Sequence, residues 1–492
     1  MTEKLNRKNS ILWVYLITCC IIIISCIFIA GEFWAGLGFP FLLIIAYLYF
    51  YKLNILLLLT SFLTPLALNI KDFALAFNIR DFDIGFGMSV PTEPILFAIL
   101  IFFFLKILWD RSFDKKIIIH PLTIFIIIQL AWMLVTCFTS QMPFVSFKAF
   151  LARLWFVVPF YYLVIFLFRK IQNIRLFICL YVISLLGVVA NTIYKHSLFE
   201  YTEITSHWVM NPFYNDHTSY GAILALFIPV LFGFTFSKTY SKTIRFFSFL
   251  VLAVLVLALI LSFSRAAWIS LAFAFIVFLI ILLKIKTKWI VLSLVAFVGI
   301  ALLFQNEIWE RLKKNKQNSS ANITEHIQSI PNISTDNSNM ERINRWKSAI
   351  RMFKERPIFG FGPGTYQFEY APYQRPEEKT LISTNAGDKG NAHSEYIGPL
   401  AESGIIGMLS MVAILIAIIT TGIRVYRKAI IMEVKVLGIS ITLGLITYFF
   451  HGLLNNFLDT DKASVPFWGF IATLVAFDLF YIKKQTETEH KP

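Results

Sequence analysis

Long apolar runs alternate with short polar breaks over most of this chain. A helix needs about 17–25 apolar residues to cross a bilayer. Runs near that length fall at 11–30, 35–51, 53–68, 94–109, 121–138, 154–168, 176–194, 219–237, 246–263, 266–283, 289–304, 398–422, 436–455 and 466–482. Only Lys52 separates the second run from the third, so those two are also compatible with one re-entrant hairpin. The pattern predicts an all-α polytopic membrane protein with about 12–14 transmembrane helices. The first run is too long for a cleaved leader, and no A-x-A site follows it. The expected organisation is an N-terminal bundle of about 11 spans over 1–304, a long loop over 305–397, C-terminal helices over 398–482 and a tail over 483–492.

The loop breaks the pattern. Residues 315–340 are polar and rich in Asn and Ser, which predicts poorly structured chain. The N-x-S/T triplets at Asn318, Asn322 and Asn332 follow from that composition. Periodicity then becomes helical near 340–356. Ile343, Trp346, Ile350 and Phe353 share one face, Arg342, Lys347, Arg351 and Lys354 point elsewhere, and Pro357 ends the helix. The expectation is an amphipathic helix lying apolar side down on the membrane surface. The following Gly360-Phe-Gly362-Pro-Gly364 reads as a tight turn. It follows a helix and contains Pro363, unlike a phosphate-binding loop.

Composition agrees with this reading. The chain is 58% hydrophobic and 15% charged, with a mean hydropathy of +0.71. A soluble core of this length would not hide that much apolar surface. The formal net charge of +15 would suggest nucleic acid in a soluble protein. Here its distribution carries topology. With the N-terminus in the cytoplasm, 24 Lys and Arg fall inside, 7 fall in short outer segments and 13 fall in 305–397. Short loops decide orientation, so both termini are expected in the cytoplasm and the long loop outside. The charge therefore gives no support for nucleic-acid binding. The five cysteines sit in apolar runs without a CxxC pair and read as small buried hydrophobes.

Few polar residues remain as candidates for chemistry. Arg265 lies in SFSRAAW between two apolar runs. It reads either as an interfacial Arg beside Trp268 or as an anion ligand, since a guanidinium forks onto phosphate and keeps its charge. Glu402 lies inside a run, where a carboxylate needs a partner or a wet cavity. Glu395 is seven residues earlier, which places it on the same helical face as Glu402 if one helix includes both. A structural ion pair is the plainer reading for both. By topology His196, His207, His217, His326 and His393 lie outside, and His451 lies in the outer half of a run. His393 sits where the loop meets the next span, and imidazole is the natural general base at neutral pH. No HExxH or similar spacing predicts a metal, and Asp81-Phe-Asp83 is a weak match to a metal-binding pair.

SFSRAAW, a long outer loop with Arg342 and Trp346, RPIFGFGPGTY and NAHSEYIGPLAESGIIG follow one another in this order. The series resembles the O-antigen ligase and polymerase family of bacterial membrane proteins, most strongly over 260–410. The resemblance implies a metal-independent glycosyltransferase without cofactor, on the outer face of the bacterial inner membrane. It implies a polyprenyl-diphosphate-linked glycan as donor, lipid A-core or another glycan as acceptor, and membrane lipids as surroundings. It implies His393 as the base, Arg265 and Arg342 at the diphosphate, and Glu402 as an acidic positioning residue. Family members commonly carry a further arginine in an earlier outer loop. Here that region reads SHWVMNPFYNDHTSYGAIL, which leaves His207, His217 or Arg153 to supply the charge. A ligase is favoured over a polymerase on the His/Arg block. A lipid-linked oligosaccharide flippase, the non-enzyme alternative, predicts internal symmetry and charges deep in several runs, opposite to this pattern.

Overall fold

The computed structural model describes residues 38–76, 87–110, 114–286, 337–380, 383–384 and 390–482, with scattered positions before 38 and from 288 to 304. Among these, 11 helices are long and apolar enough to cross a membrane. We label α1 Gly38–Leu63, α2 Thr92–Asp110, α3 Pro121–Phe138 and α4 Pro143–Leu167. Next come α5 Ile171–Ser197, α6 His217–Phe236, α7 Lys242–Leu261 and α8 Arg265–Leu282. The series ends with the loop helix α9 Asn337–Glu355, then α10 Ile397–Lys428, α11 Met432–His451 and α12 Asp461–Ile482. The protein is thus an all-α polytopic membrane protein.

The runs at 35–51 and 53–68 are one helix, α1, bent at Lys52 (φ −141°, ψ 42°). No Gly or Pro adjoins Lys52 to turn the chain back, so the apolar run continues through it. The runs at 11–30 and 289–304 lie outside the described residues apart from isolated positions, as do Asp81, Asp83, His326 and the three N-x-S/T triplets. α4 contains a π-helical stretch, Val158–Leu163. Pro159 has no N–H to donate there, and the wider turn absorbs the loss.

Burial sorts the helices. In α6 and α11, 83% of the most apolar window is inside the protein, and in α12 78%; in α7 and α8 the shares are 22% and 17%. The first three form the centre and the last two the rim. α6 and α11 touch backbone to backbone. A Cβ at Gly444 would meet the Leu226 carbonyl, and one at Gly233 would meet the Ser440 hydroxyl. One end of the bundle, called here the loop end, carries α9 and the paired strands Leu68–Asn69 and Ser89–Val90. The opposite end is pinned by ion pairs. Arg424 donates to Asp478 at 2.9 Å, His120 Nε2 lies 3.0 Å from the same carboxylate, and Arg175 grips Glu433 at 2.5 and 2.6 Å.

α9 departs from expectation. Its buried face carries Glu341, Asn344, Arg345, Ser348, Ala349 and Met352. The apolar positions Ile343, Trp346 and Phe353 are half-buried, and Ile350 is exposed. Polar partners in the loop decide this. Asn344 donates to Gln374 at 2.8 Å, Arg345 donates to Glu341 at 2.7 Å, and Tyr366 Oη donates to the Arg345 carbonyl at 2.8 Å. Ala349, Met352, Phe361, Tyr366, Tyr370, Ala392 and Ala401 complete a small second core. The cysteine expectation also changes: Cys137 is buried, but Cys19, Cys26 and Cys179 are exposed on the apolar perimeter.

Candidate functional site

Helix ends and tight turns bring the polar residues together at the loop end. Arg265 opens α8. The chain reverses between α7 and α8 through Phe263 at φ 48°, and Ser264 N donates to Ser262 Oγ at 3.3 Å. Trp268 donates its indole N–H to the Leu259 carbonyl at 3.0 Å. It clamps α8 to α7, a structural duty beyond that of an interfacial anchor. His217 opens α6. Asp216 caps that helix by accepting from the amides of Thr218 and Ser219, both at 2.8 Å. His207 packs edge-on against His217 with ring centres 4.1 Å apart.

Arg342 projects from α9, with Nη1 donating to Asn339 at 3.1 Å. His393 has φ 47°, a left-handed conformation seldom adopted outside glycine, held by its amide donating to Asn391 Oδ1 at 3.1 Å. The Trp346 indole reaches the His393 carbonyl at 3.5 Å. Local geometry thus fixes the imidazole from both sides of its own peptide.

Electrostatics joins these pieces into one cluster. His217 lies within the fields of His207, Asp216, Arg342 and Arg265. His393 lies within those of Arg342, Arg345, Asp216 and Glu341. His451, at the end of α11, lies within those of Arg342 and Asp216. Burial, and then the charges of Arg342 and Arg345, push the His393 pKa down to about 4. The ring is therefore neutral at neutral pH and able to accept a proton. Guanidiniums beside a neutral imidazole are the groups that anion binding and an adjacent proton acceptor require.

Arg153, Glu395 and Glu402 form a different group. Arg153 Nη2 lies 3.2 Å from Asp459, and its charge reaches both Glu395 and Glu402. Glu395 precedes α10, so no helical face relates it to Glu402. Its Oε1 accepts from Tyr448 Oη at 2.7 Å and from the amides of Phe457 and Leu458 at 2.8 and 3.0 Å. Burial first, then Asp459, raise its pKa. Glu402 accepts from the Tyr366 amide at 3.1 Å just before α10 breaks at Gly404 (φ 67°). There the Phe361 and Gly362 amides donate to the Ala401 and Glu402 carbonyls at 3.1 and 2.8 Å. The glycine turn is thus a tight turn docked on the helix break, and the two carboxylates order the chain around the cluster.

The sequence reading gave no role to Asp216, Arg345 or His451. The available signal was the polar run HGLLNNFLDTD closing an apolar helix. Among the described residues, no three His, Cys, Asp or Glu converge as a metal site.

Residues 250–412 match the family model for O-antigen ligase. The segment contains Arg265, Arg342, His393 and Glu402. The chain is also 23% identical over 257 residues to an uncharacterised protein of Haemophilus influenzae. That match covers 48% of this chain and 58% of the other, so the chain spans little more than half the length of this relative.

Proposed function

We propose that this chain, which carries an O-antigen ligase domain over residues 250–412, moves a glycan from a polyprenyl-diphosphate carrier to an acceptor hydroxyl. The observation that carries the reading is His393, held in a left-handed turn by Asn391 and Trp346 within the fields of Arg342 and Arg345, in a cluster that also contains Arg265. Arg265 and Arg342 bind the diphosphate. His393 takes the proton of the acceptor hydroxyl as its oxygen attacks the anomeric carbon. The bond from that carbon to the phosphate oxygen breaks, and its electron pair leaves with the diphosphate. Stabilising that charge is what accelerates the step, and arginine supplies it without a metal. Direct displacement inverts the anomeric centre. His207 and His217 supply the additional polar contact that Arg153, engaged with Asp459, does not.

An apolar groove supports the lipid half of the donor. It measures about 710 Å³ and lies between α6, α7, α8 and α11, with Phe232, Ile260, Trp268, Phe275 and Leu443 in its walls. Trp268 in its wall is one helical turn along α8 from Arg265, which suits a polyprenyl tail in the groove with its diphosphate towards the guanidinium. The Lys and Arg excess in the short loops at the end opposite α9 supports a site on the outer face of the bacterial inner membrane.

Deletion of the chain followed by gel analysis of surface glycans tests the reading. Loss of surface glycan with long lipid-linked chains retained identifies a ligase acting on lipid A-core or a similar acceptor. Capping by single repeats identifies a polymerase instead. Unchanged surface and lipid-linked glycans overturn both.

A further inference from the structure

The segment from His451 to Asp461 is rich in polar atoms that folding has buried without a hydrogen-bond partner. These are Nδ1 and Nε2 of His451, Nδ2 of Asn455, Oδ1 of Asn456 and Oδ2 of Asp461. His451, Asn455 and Asp461 are 1%, 3% and 0% exposed. A folded chain seldom buries such atoms unsatisfied, and five on eleven neighbouring residues point to a ligand. A polar pocket of about 90 Å³ borders the segment, lined at that edge by Phe457, Thr460 and Asp461 and elsewhere by Asn69, Tyr214 and Asp216; His451, Asn455 and Asn456 adjoin it in the chain without forming its wall. Phe457 faces the His451 ring with centres 5.7 Å apart. The segment adjoins the catalytic cluster. The Glu395 amide, two residues from His393, donates to the Gly452 carbonyl at 2.8 Å, and Asp216 lines the pocket while acting on both His393 and His451.

The chemistry selects the ligand class. A phosphate accepts hydrogen bonds only: its charge would repel the Asp461 carboxylate, and Asn456 Oδ1 would still lack a donor. A cation would meet the amide of Asn455 and the Lys462 ammonium, which lies 3.5 Å from Asp461. A hydroxyl both donates and accepts, and suits imidazole, amide and carboxylate together. Tyr214 and Phe457 supply flat apolar walls for the C–H face of a ring.

We propose that residues 451–461, with the pocket beside Asp216, form a saccharide subsite that grips the hydroxyl-bearing edge of a sugar ring next to His393. This rests on the glycosyl-transfer reading above. The test uses the full chain in lipid nanodiscs, wild type against Asp461→Asn and Asn455→Ala, with donors and acceptors that each lack one hydroxyl. The expected result is a KM higher by about 10- to 100-fold for the intact sugar, as for lost hydrogen bonds to a charged or buried partner, with kcat changed only a few-fold. One deoxy analogue should lose its penalty in the variant alone. If it is a donor analogue the subsite holds the donor sugar, and if an acceptor analogue the acceptor sugar. Variants that slow every substrate equally, or none, overturn the inference and leave the parent reading standing. If the wild type transfers no glycan, the parent reading fails. Calorimetric titration with free oligosaccharide repeats then decides the subsite: weaker binding by either folded variant supports it, and equal or absent binding overturns it.

Discussion

His120 and His451 are the same side chain at opposite ends of the bundle, equally buried at 4% and 1% exposure. His120 has a partner on each nitrogen: Nε2 lies 3.0 Å from Asp478, and Nδ1 accepts the Leu122 amide at 3.3 Å. His451 has a partner on neither. The surrounding charges differ in the same way. Around His120, Arg424 and Asp478 form an ion pair at 2.9 Å. Around His451 and His393 the field of Arg342 is felt directly by both rings. Closed polar networks hold helices in register, whereas a network left open and positively biased holds an anion and a substrate. Burial alone does not separate the two; satisfaction of the polar atoms does.

The strongest way to break this comparison is at His393. His393→Ala should leave a folded, membrane-inserted protein and lower glycan transfer by about 10²- to 10⁴-fold, the usual contribution of a general base. Transfer from purified donor to acceptor measures it, and a rate near wild type removes His393 from the mechanism. Arg265→Lys comes next. It keeps the charge and loses the planar fork, so transfer should fall by about 10²-fold. Arg175→Lys, at the opposite end, should leave transfer unchanged in the same assay.

The sequence already carried the membrane fold, because crossing a bilayer demands long apolar runs that nothing else in the chain imitates. Lys52 misled because a charge interrupts hydropathy without supplying the Gly or Pro that turns a backbone. α9 misled for the reverse reason. Its helical period was plain, but which face is buried depended on Gln374, Tyr366 and Asn391, whose proximity only the fold creates. Arg265, Arg342 and His393 were legible as polar residues at membrane boundaries. His451 was hidden because hydropathy files it as the end of a span. The Arg153 ion pair was hidden because an outer loop position does not reveal a partner as distant in sequence as Asp459.

Acidity separates the two ends further. The His393 pKa of about 4 predicts that kcat/KM stays level from neutral pH down to about pH 5 and then falls, since kcat/KM follows the free enzyme. In kcat the fall should begin at higher pH, because bound diphosphate offsets the Arg342 charge that depresses the imidazole. Stability follows the same group. Above about 6.5 the ring is neutral whether the chain is folded or not. As pH falls from there towards about 4, the unfolded chain binds a proton that the folded chain refuses, so stability is lost across that window. Thermal melts against pH check this, and in His393→Gln that part of the slope should vanish.

The smallest effect on transfer, and the sharpest contrast, comes from placing phenylalanine at each of the two histidines. At His120 the ring of Phe offers nothing to Asp478 or to the Leu122 amide. Removing a partner from a buried charged group costs about 1.5–3 kcal/mol, so His120→Phe should lower the Tm and leave kcat and KM as they were. At His451 no hydrogen bond exists to lose. Phe fills the same space against Phe457 and removes two unsatisfied nitrogens, so His451→Phe should keep or raise the Tm while weakening sugar binding about tenfold or more. Paired melts and transfer kinetics on the two variants read both quantities. A fall in Tm for His451→Phe equal to that of His120→Phe would mean that the two ends are alike and that His451 belongs to the scaffold.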